Sequence, residues 1–131
     1  MSQTFNLQQF PVHLGPQAKL VQLPPFTGMD WYETYGQQHG GDGIEGRLVS
    51  MHRFDNSWDS WEMHPHGAEL VVCTQGRITL YQEVDGIVRT VTLGVGDAII
   101  NPPGVWHTAD VSDPCTALFI TTGLGTEQRG R

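Results

Sequence analysis

The sequence predicts an all-β chain folded as an antiparallel sandwich or barrel, with little or no helix. Short runs rich in β-branched and aromatic residues follow one another, and turn residues separate them at regular intervals. No stretch has the periodicity of a three-turn amphipathic helix. Glycine (16) and proline (8) are frequent, while charged residues make up only 16%, which is typical of short strands and many turns. The length of 131 residues suits one domain.

The strands are predicted from Arg47 onward. They cover residues 47–54, 60–64, 69–74, 77–84, 87–93, 98–100, 105–111 and 115–122. Asp85 and Gly86 predict a two-residue hairpin, because a type I′ turn needs positive φ at both positions. Three segments are expected: an N-terminal arm (1–45) with short strands and a mobile Gly-rich loop at 36–46, a barrel (46–123) and a C-terminal tail (124–131).

Charge and cysteine content exclude several classes of protein. Seven Lys and Arg residues stand against 14 Asp and Glu residues, so the net charge of −7 repels the phosphates of nucleic acid. No apolar run approaches the roughly 20 residues of a membrane span, and the N-terminus lacks the features of a secretory signal. We therefore expect a cytoplasmic protein that binds neither nucleic acid nor membrane. Cys73 and Cys115 are expected to be buried thiols, with a disulfide between them as the less favoured alternative.

The segment "WEMHPHGAELVVCTQG" (61–76) contains the first candidate metal ligands. His64 and His66 are two residues apart, and on a regular strand such side chains point to the same face. Pro65 has no N–H for a sheet ladder, so the segment is expected at a sheet edge or strand end. Glu69 follows a short turn and can bring a carboxylate to the same point. Two imidazoles and one carboxylate suit a divalent transition metal ion, although a polar turn at the barrel rim would show the same residues.

The segment "GDAIINPPGVWHTADV" (96–111) supplies a fourth candidate. His107 lies near the start of a predicted strand, after a rigid Pro-Pro-Gly turn. If that strand neighbours the first segment, His107 completes a set of three histidines and one carboxylate. Spacing alone leaves this neighbourhood open, and a buried imidazole bonded to backbone is the alternative interpretation.

Together the two segments resemble the paired motifs of the cupin superfamily, G-x5-H-x-H-x3,4-E-x6-G and G-x5-P-x-G-x2-H-x3-N. The positions that match are Glu69, Gly76, Gly96, Pro102, Gly104 and His107. The resemblance implies a double-stranded β-helix, or jelly-roll barrel, with the ligands facing its interior. It also implies that His64, His66, Glu69 and His107 bind one divalent transition metal per chain, which could be Fe, Mn, Ni or Zn.

The chain departs from these patterns at three points. Trp58 and Val111 stand where the patterns have glycine and asparagine, and only two residues separate His66 from Glu69. If this short loop cannot deliver Glu69, Glu62 is the alternative carboxylate, because it shares the strand parity of the two histidines.

The other histidines and the large aromatic residues are not expected to bind the metal. His13 and His39 lie in predicted loops and are expected to be solvated, whereas His52 either lines the cavity or faces solvent. Cys73 is expected to line the cavity below the metal. The aromatics expected to cover the barrel ends or a dimer face are Trp31, Tyr32, Tyr35 and Trp58.

The resemblance leaves three classes of function open. A metal with open positions can activate O₂, polarise a carbonyl or acidify water, so the first hypothesis is an enzyme, with dioxygenase-type iron(II) chemistry on a small organic substrate favoured over isomerase or lyase activity. A non-catalytic small-ligand-binding or sensor protein is the second, and a barrel that binds metal only for stability is the third. The resemblance also implies a homodimer in which residues from about 5 to 35 cross to the partner.

Overall fold

Two antiparallel sheets face each other in residues 3–131, the part of the chain that this computed structural model describes. The strands are β1 Val12–Gly15, β2 Lys19–Gln22, β3 Arg47–Phe54, β4 Ser60–Met63, β5 Glu69–Gln75, β6 Ile78–Val84, β7 Ile87–Leu93, β8 Ala98–Asn101, β9 Trp106–Asp110, β10 Cys115–Thr121 and β11 Glu127–Gly130. One sheet has the order β2-β1-β3-β10-β5-β8 and the other β11-β4-β9-β6-β7. The predicted all-β antiparallel fold of the jelly-roll type is confirmed.

The core lies between the two sheets because the central strands alternate buried and accessible side chains. β5 and β6 show this alternation along most of their length, which is the pattern of strands with one buried face. The side chains that form the core are Val71, Cys73, Ile78, Leu80, Leu93, Ala109, Val111, Cys115, Ala117 and Phe119. Cys73 and Cys115 are both buried and both free, as expected.

The eight predicted strands are all present, with ends that shift by at most one residue. The hairpin between β6 and β7 also agrees with the prediction. Asp85 and Gly86 have φ values of 53° and 76°, the left-handed conformation that a type I′ turn needs at both central positions.

The N-terminal third contains a helix where a mobile Gly-rich loop was expected. Helix α1 (Met29–His39) is followed by a 3-10 helix (Gly40–Glu45), so the loop prediction is wrong. Trp31 of α1 is buried in a second, smaller core. Its partners there are Leu23, which follows β2, and Leu48 of β3. The Trp31 ring stacks on that of Tyr35, with centroids 5.4 Å apart. Packing of this apolar face stabilises a helix whose Gly36 and many polar residues give little helical signal of their own.

Segments near both ends of the described chain pack on the barrel. β1 pairs with β3, and residues 127–130 of the expected tail form β11, which pairs with β4. Trp58 packs on the barrel core, whereas Trp31 belongs to the smaller core. No helix in residues 3–131 is long and apolar enough to cross a membrane.

Candidate metal centre

Glu69 lies at the centre of a buried cluster. It is 4% exposed, and the neighbouring His64 and His107 are 5% and 1% exposed. His64 directly follows β4, Glu69 opens β5 and His107 lies in β9, so both sheets contribute. The distance from Glu69 Oε2 to His64 Nε2 is 3.4 Å, and that from Glu69 Oε1 to His107 Nε2 is 3.2 Å.

The outer partners of both histidines determine their tautomers. His107 Nδ1 lies 3.2 Å from the Val105 carbonyl oxygen, which can only accept, so Nδ1 carries the proton. His64 Nδ1 lies 2.9 Å from Thr126 Oγ1. The Thr126 hydroxyl already donates its one proton to the Gly123 carbonyl at 2.9 Å, so it accepts from His64. In their neutral forms both imidazoles therefore present an unprotonated Nε2 to the centre of the cluster.

Two lone pairs and an anion thus face one another. In the described part of the chain neither Nε2 has a hydrogen-bond partner, although both are buried. Such acceptors repel unless a cation lies between them, either a proton or a metal ion. Two donors about 2.1 Å from one ion stand about 3.0–3.4 Å apart at octahedral to tetrahedral angles. The observed separations of 3.2 and 3.4 Å fall in that range, so the residues fit a metal ion.

Electrostatics at the cluster agree with this need for positive charge. Burial by itself would raise the pKa of Glu69, but the two facing imidazoles outweigh it and hold that pKa below its usual range. Burial would lower the pKa of His107, and Glu69 outweighs it and raises that pKa. Without metal, the cluster therefore attracts a proton to His107.

Glu62 adds a second carboxylate. It pairs with His107 across β4 and β9. One carboxylate oxygen of Glu62 and one nitrogen from each of His64 and His107 lie within 4.8 Å of one another. Glu62 is half-buried, and Gln128 Nε2 of β11 donates to its Oε1 at 3.3 Å. The alternative carboxylate expected from strand parity thus lies beside the same two histidines that contact Glu69.

The structure does not bring His66 to the cluster. β4 ends at Met63, and Pro65 and His66 form a turn, so the alternation expected from a strand no longer applies. His66 is exposed, and its ring lies so close to Gly125 that a Cβ there would be 3.4 Å from His66 Nε2. The strand alternation on which the pairing of His64 and His66 depended does not extend to them, because β4 ends at Met63, and His64 is buried whereas His66 is exposed.

The cluster instead follows a different register of the first motif. With Glu62 and His64 as the first two positions, four residues separate His64 from Glu69, which lies within the three-to-four spacing of the cupin pattern. Gly76 keeps its place in either register. The gap of only two residues between His66 and Glu69 indicated that the motif begins two residues earlier, at Glu62. The H-x-H formed by His64 and His66 made the later register look like the right one.

Hydrogen bonds from residues outside the donor cluster orient the carboxylate of Glu69. Asn101 Nδ2, at the end of β8, donates to Glu69 Oε1 at 3.1 Å, and Thr121 Oγ1 of β10 donates to Oε2. Gln82 Nε2 in turn donates to Asn101 Oδ1 at 2.7 Å and to the Ile100 carbonyl at 3.0 Å. Outer partners of this kind fix the orientation of metal ligands. Nothing in the sequence patterns indicated this network.

His52 points into the barrel, so the inward interpretation is the right one. Its ring lies 4.9 Å from that of Phe26 and 6.3 Å from that of Phe119. Its Nε2 is buried, with no hydrogen-bond partner among residues 3–131. Burial lowers the pKa of His52, so this imidazole is neutral at physiological pH.

His13 and His39 are not solvated loop residues as expected. His13 lies in β1, is 1% exposed and is bonded through both ring nitrogens, to Tyr35 and to Asp42. His39 ends α1, and its ring lies 4.4 Å from that of His13.

Comparisons with known proteins agree with the fold. Residues 52–121 match the family described as Cupin domain, and no curated protein sequence matches the chain. A cupin-2 domain containing protein from Shewanella frigidimarina has a TM-score of 0.50 and 18% identity, over 58% of this chain and 70% of that one. Oxalate oxidase in complex with the substrate analogue glycolate has a TM-score of 0.54 and 11% identity, over 62% of this chain and 45% of that one. The chain thus spans under half the length of the oxalate oxidase, and at these identities the likeness shows a shared fold.

Proposed function

The chain belongs to the cupin domain family, and from this premise we propose that it is a metal-dependent enzyme acting on a small organic substrate. In this proposal one divalent transition ion binds to Glu62, His64, Glu69 and His107. The observation that carries it is the convergence of two buried imidazole nitrogens on a buried carboxylate, 3.2 and 3.4 Å away. Neither nitrogen has a hydrogen-bond partner in residues 3–131.

The donor set favours iron(II) or manganese(II). Imidazoles suit iron, nickel, copper and zinc, whereas carboxylates suit harder ions such as manganese. Two imidazoles and two carboxylates together therefore favour an ion that binds both kinds of ligand. When bound, such a metal would supply a Lewis acid and a binding position for O₂ or a substrate oxygen. This supports oxidoreductase chemistry of the dioxygenase or oxidase type as the reaction class.

The substrate is proposed to be small and to approach from the side of Tyr32. Val71 follows Glu69 by two residues on β5, and Ala109 follows His107 by two residues on β9. Both are fully buried in the packed core, so a substrate would have to reach the metal from the side away from that core. Tyr32 of α1 is 38% exposed. Burial and then the charges of Glu62 and Glu69 raise its pKa, so its hydroxyl stays protonated and can donate a hydrogen bond to an acidic substrate. A small organic acid is also the chemistry of the glycolate bound by the oxalate oxidase of similar fold.

Metal analysis of three variants tests the ligand set. The chelated protein is reconstituted with Fe(II) or Mn(II), and bound metal is measured in wild type, Glu62→Gln, His107→Gln and His66→Gln. We expect the Glu62 and His107 variants to lose at least about 100-fold in affinity, because even outer partners of ligands are worth 10–100-fold. His66→Gln is the matched control and should bind as wild type does. Equal binding by Glu62→Gln and wild type, or loss in His66→Gln alone, would refute this ligand set.

Oxygen uptake tests the reaction. The iron(II)-loaded protein is mixed with a panel of small organic acids and phenols, and O₂ consumption is followed with an electrode. We expect uptake that depends on one substrate class and disappears in Glu62→Gln. A fully metal-loaded protein that consumes no O₂ and converts none of the panel would support the non-catalytic alternative.

We also propose that the protein is a homodimer. β7 is an edge strand that carries the exposed apolar residues Ile87, Val88 and Val91, and proteins usually cover or blunt such an edge. Light scattering after size exclusion should give twice the mass of 14.5 kDa. A monomer at micromolar concentration would contradict the proposal.

A further inference from the structure

A second group of metal-type donors lies in the N-terminal third of the described chain, among residues of β1, α1 and the 3-10 helix. His13, His39 and Asp42 each offer one ligand atom, and these three atoms lie within 4.8 Å of one another. None of the three belongs to the matched region 52–121 or contributes to the first centre. We propose that they form a second binding site for a zinc-like divalent cation, independent of the first.

The outer contact of His13 suits a metal ligand. Its Nδ1 lies 2.7 Å from the Tyr35 hydroxyl and its Nε2 lies 2.7 Å from Asp42 Oδ2. Without metal, Nε2–H donates to Asp42, because a carboxylate can only accept, and Tyr35 donates to Nδ1. A bound cation would displace that proton. Nδ1–H would then donate to the Tyr35 oxygen, and the Nε2 lone pair would face the ion, which is the usual orientation of a metal-bound histidine.

The backbone closes tightly on this group. A Cβ at Gly15 would lie 2.9 Å from Asp42 Oδ2 and 3.3 Å from His13 Nε2. A Cβ at Gly46 would lie 3.2 Å from both His13 Cε1 and Asp42 Cβ. A side chain at either position would crowd the donors, and close packing of this kind keeps a site in fixed geometry.

The ammonium group of Lys19 already contacts the carboxylate of Asp42. Lys19 Nζ lies 3.1 Å from Asp42 Oδ2, and this side chain is 46% exposed. Because Lys19 is flexible and half exposed, it can swing into solvent when a divalent ion takes its place. His39 is partly buried at the end of α1, with its ring 4.4 Å from that of His13. Two imidazoles, one carboxylate and water make a four-coordinate zinc set.

Zinc stoichiometry tests the site. The full chain is freed of metal, equilibrated with Zn²⁺ by dialysis and analysed for bound zinc in wild type, His39→Gln and His66→Gln. We expect His39→Gln to bind one ion fewer per chain than wild type, and His66→Gln, which changes an exposed histidine outside both groups, to bind the wild-type number. The one-ion difference is expected even if the first centre takes no zinc, because wild type and His39→Gln share that centre.

Lys19→Gln separates a metal site from a purely structural network. Removing the competing ammonium group should tighten zinc binding about threefold, because that factor corresponds to the free energy of one exposed ion pair. If the three donors were only a structural network, the substitution would remove a contact and would not tighten zinc binding. Equal zinc stoichiometry in wild type and His39→Gln would overturn the proposal. A loss of one ion in His66→Gln as well would mean adventitious binding to surface histidines and would overturn it too.

Discussion

Replacing Asn101 with leucine measures how strongly the buried network holds Glu69. Asn101 is 1% exposed. Its Nδ2 donates to Glu69 Oε1 at 3.1 Å, and its Oδ1 accepts from Gln82 Nε2 at 2.7 Å. Leucine is similar in size but has no polar atom. The substitution therefore removes both hydrogen bonds without opening a large cavity.

The expected cost follows from the two lost bonds. A hydrogen bond to an ionised carboxylate is worth about 1.5–3 kcal/mol and a neutral one about 1 kcal/mol. Gln82 keeps its bond to the Ile100 carbonyl, so its amide is not left wholly unpaired. The free energy of unfolding should therefore fall by about 3 kcal/mol, which lowers the Tm of a chain of this size by about 10 °C. Metal affinity should fall by about 10–100-fold, because Glu69 loses an orienting partner.

Urea denaturation of the metal-free protein and a metal titration provide the assay. Thr79→Val is the matched control, because it removes a side-chain hydrogen bond to Thr92 that lies at the surface and should cost less than about 0.5 kcal/mol. The reasoning would be refuted if Asn101→Leu unfolded within that same margin of wild type and bound metal with unchanged affinity.

Two further predictions concern turns and pH. Gly76 and Gly86 have nearly equal φ values of 73° and 76°, yet a Cβ at Gly76 would lie 2.7 Å from the Pro114 carbonyl oxygen while nothing lies within 4 Å of a Cβ at Gly86. Urea denaturation should therefore give a loss of about 1 kcal/mol for Gly86→Ala and about 2–4 kcal/mol for Gly76→Ala, and equal losses would contradict the prediction. Hydrogen bonds from His13 and Lys19 hold the pKa of Asp42 below its ordinary 3.8, so the stability Asp42 contributes is present above that pH and is lost as pH falls through the lower folded-state pKa. The difference in unfolding free energy between wild type and Asp42→Asn should shrink from about pH 5 to about pH 2, and a constant difference would show that Asp42 is not the group responsible.

The strands could be predicted because their signal is local. Alternating side chains in β5 and β6 fix which face is buried, and Asp85-Gly86 fixes the hairpin between β6 and β7. The same local reasoning missed α1. Trp31, Tyr35 and His39 are spaced four apart on one face of the helix. A segment with many polar residues and a central glycine becomes a helix only when that face packs on β1 and β3.

The sequence by itself determined the strand order along the chain, the acidic surface and the residue types of the candidate centre. Its two motifs indicated His64, Glu69 and His107, and strand parity indicated Glu62. Only the tertiary structure decided which of these residues meet. β4 ends at Met63, so the position of His66 depends on a turn and not on alternation, and pairing of β4 with β9 brings Glu62 opposite His107. The group of His13, His39 and Asp42 was invisible to sequence reasoning for the same physical reason: no periodicity along the chain records a contact that forms only when three separate elements pack together.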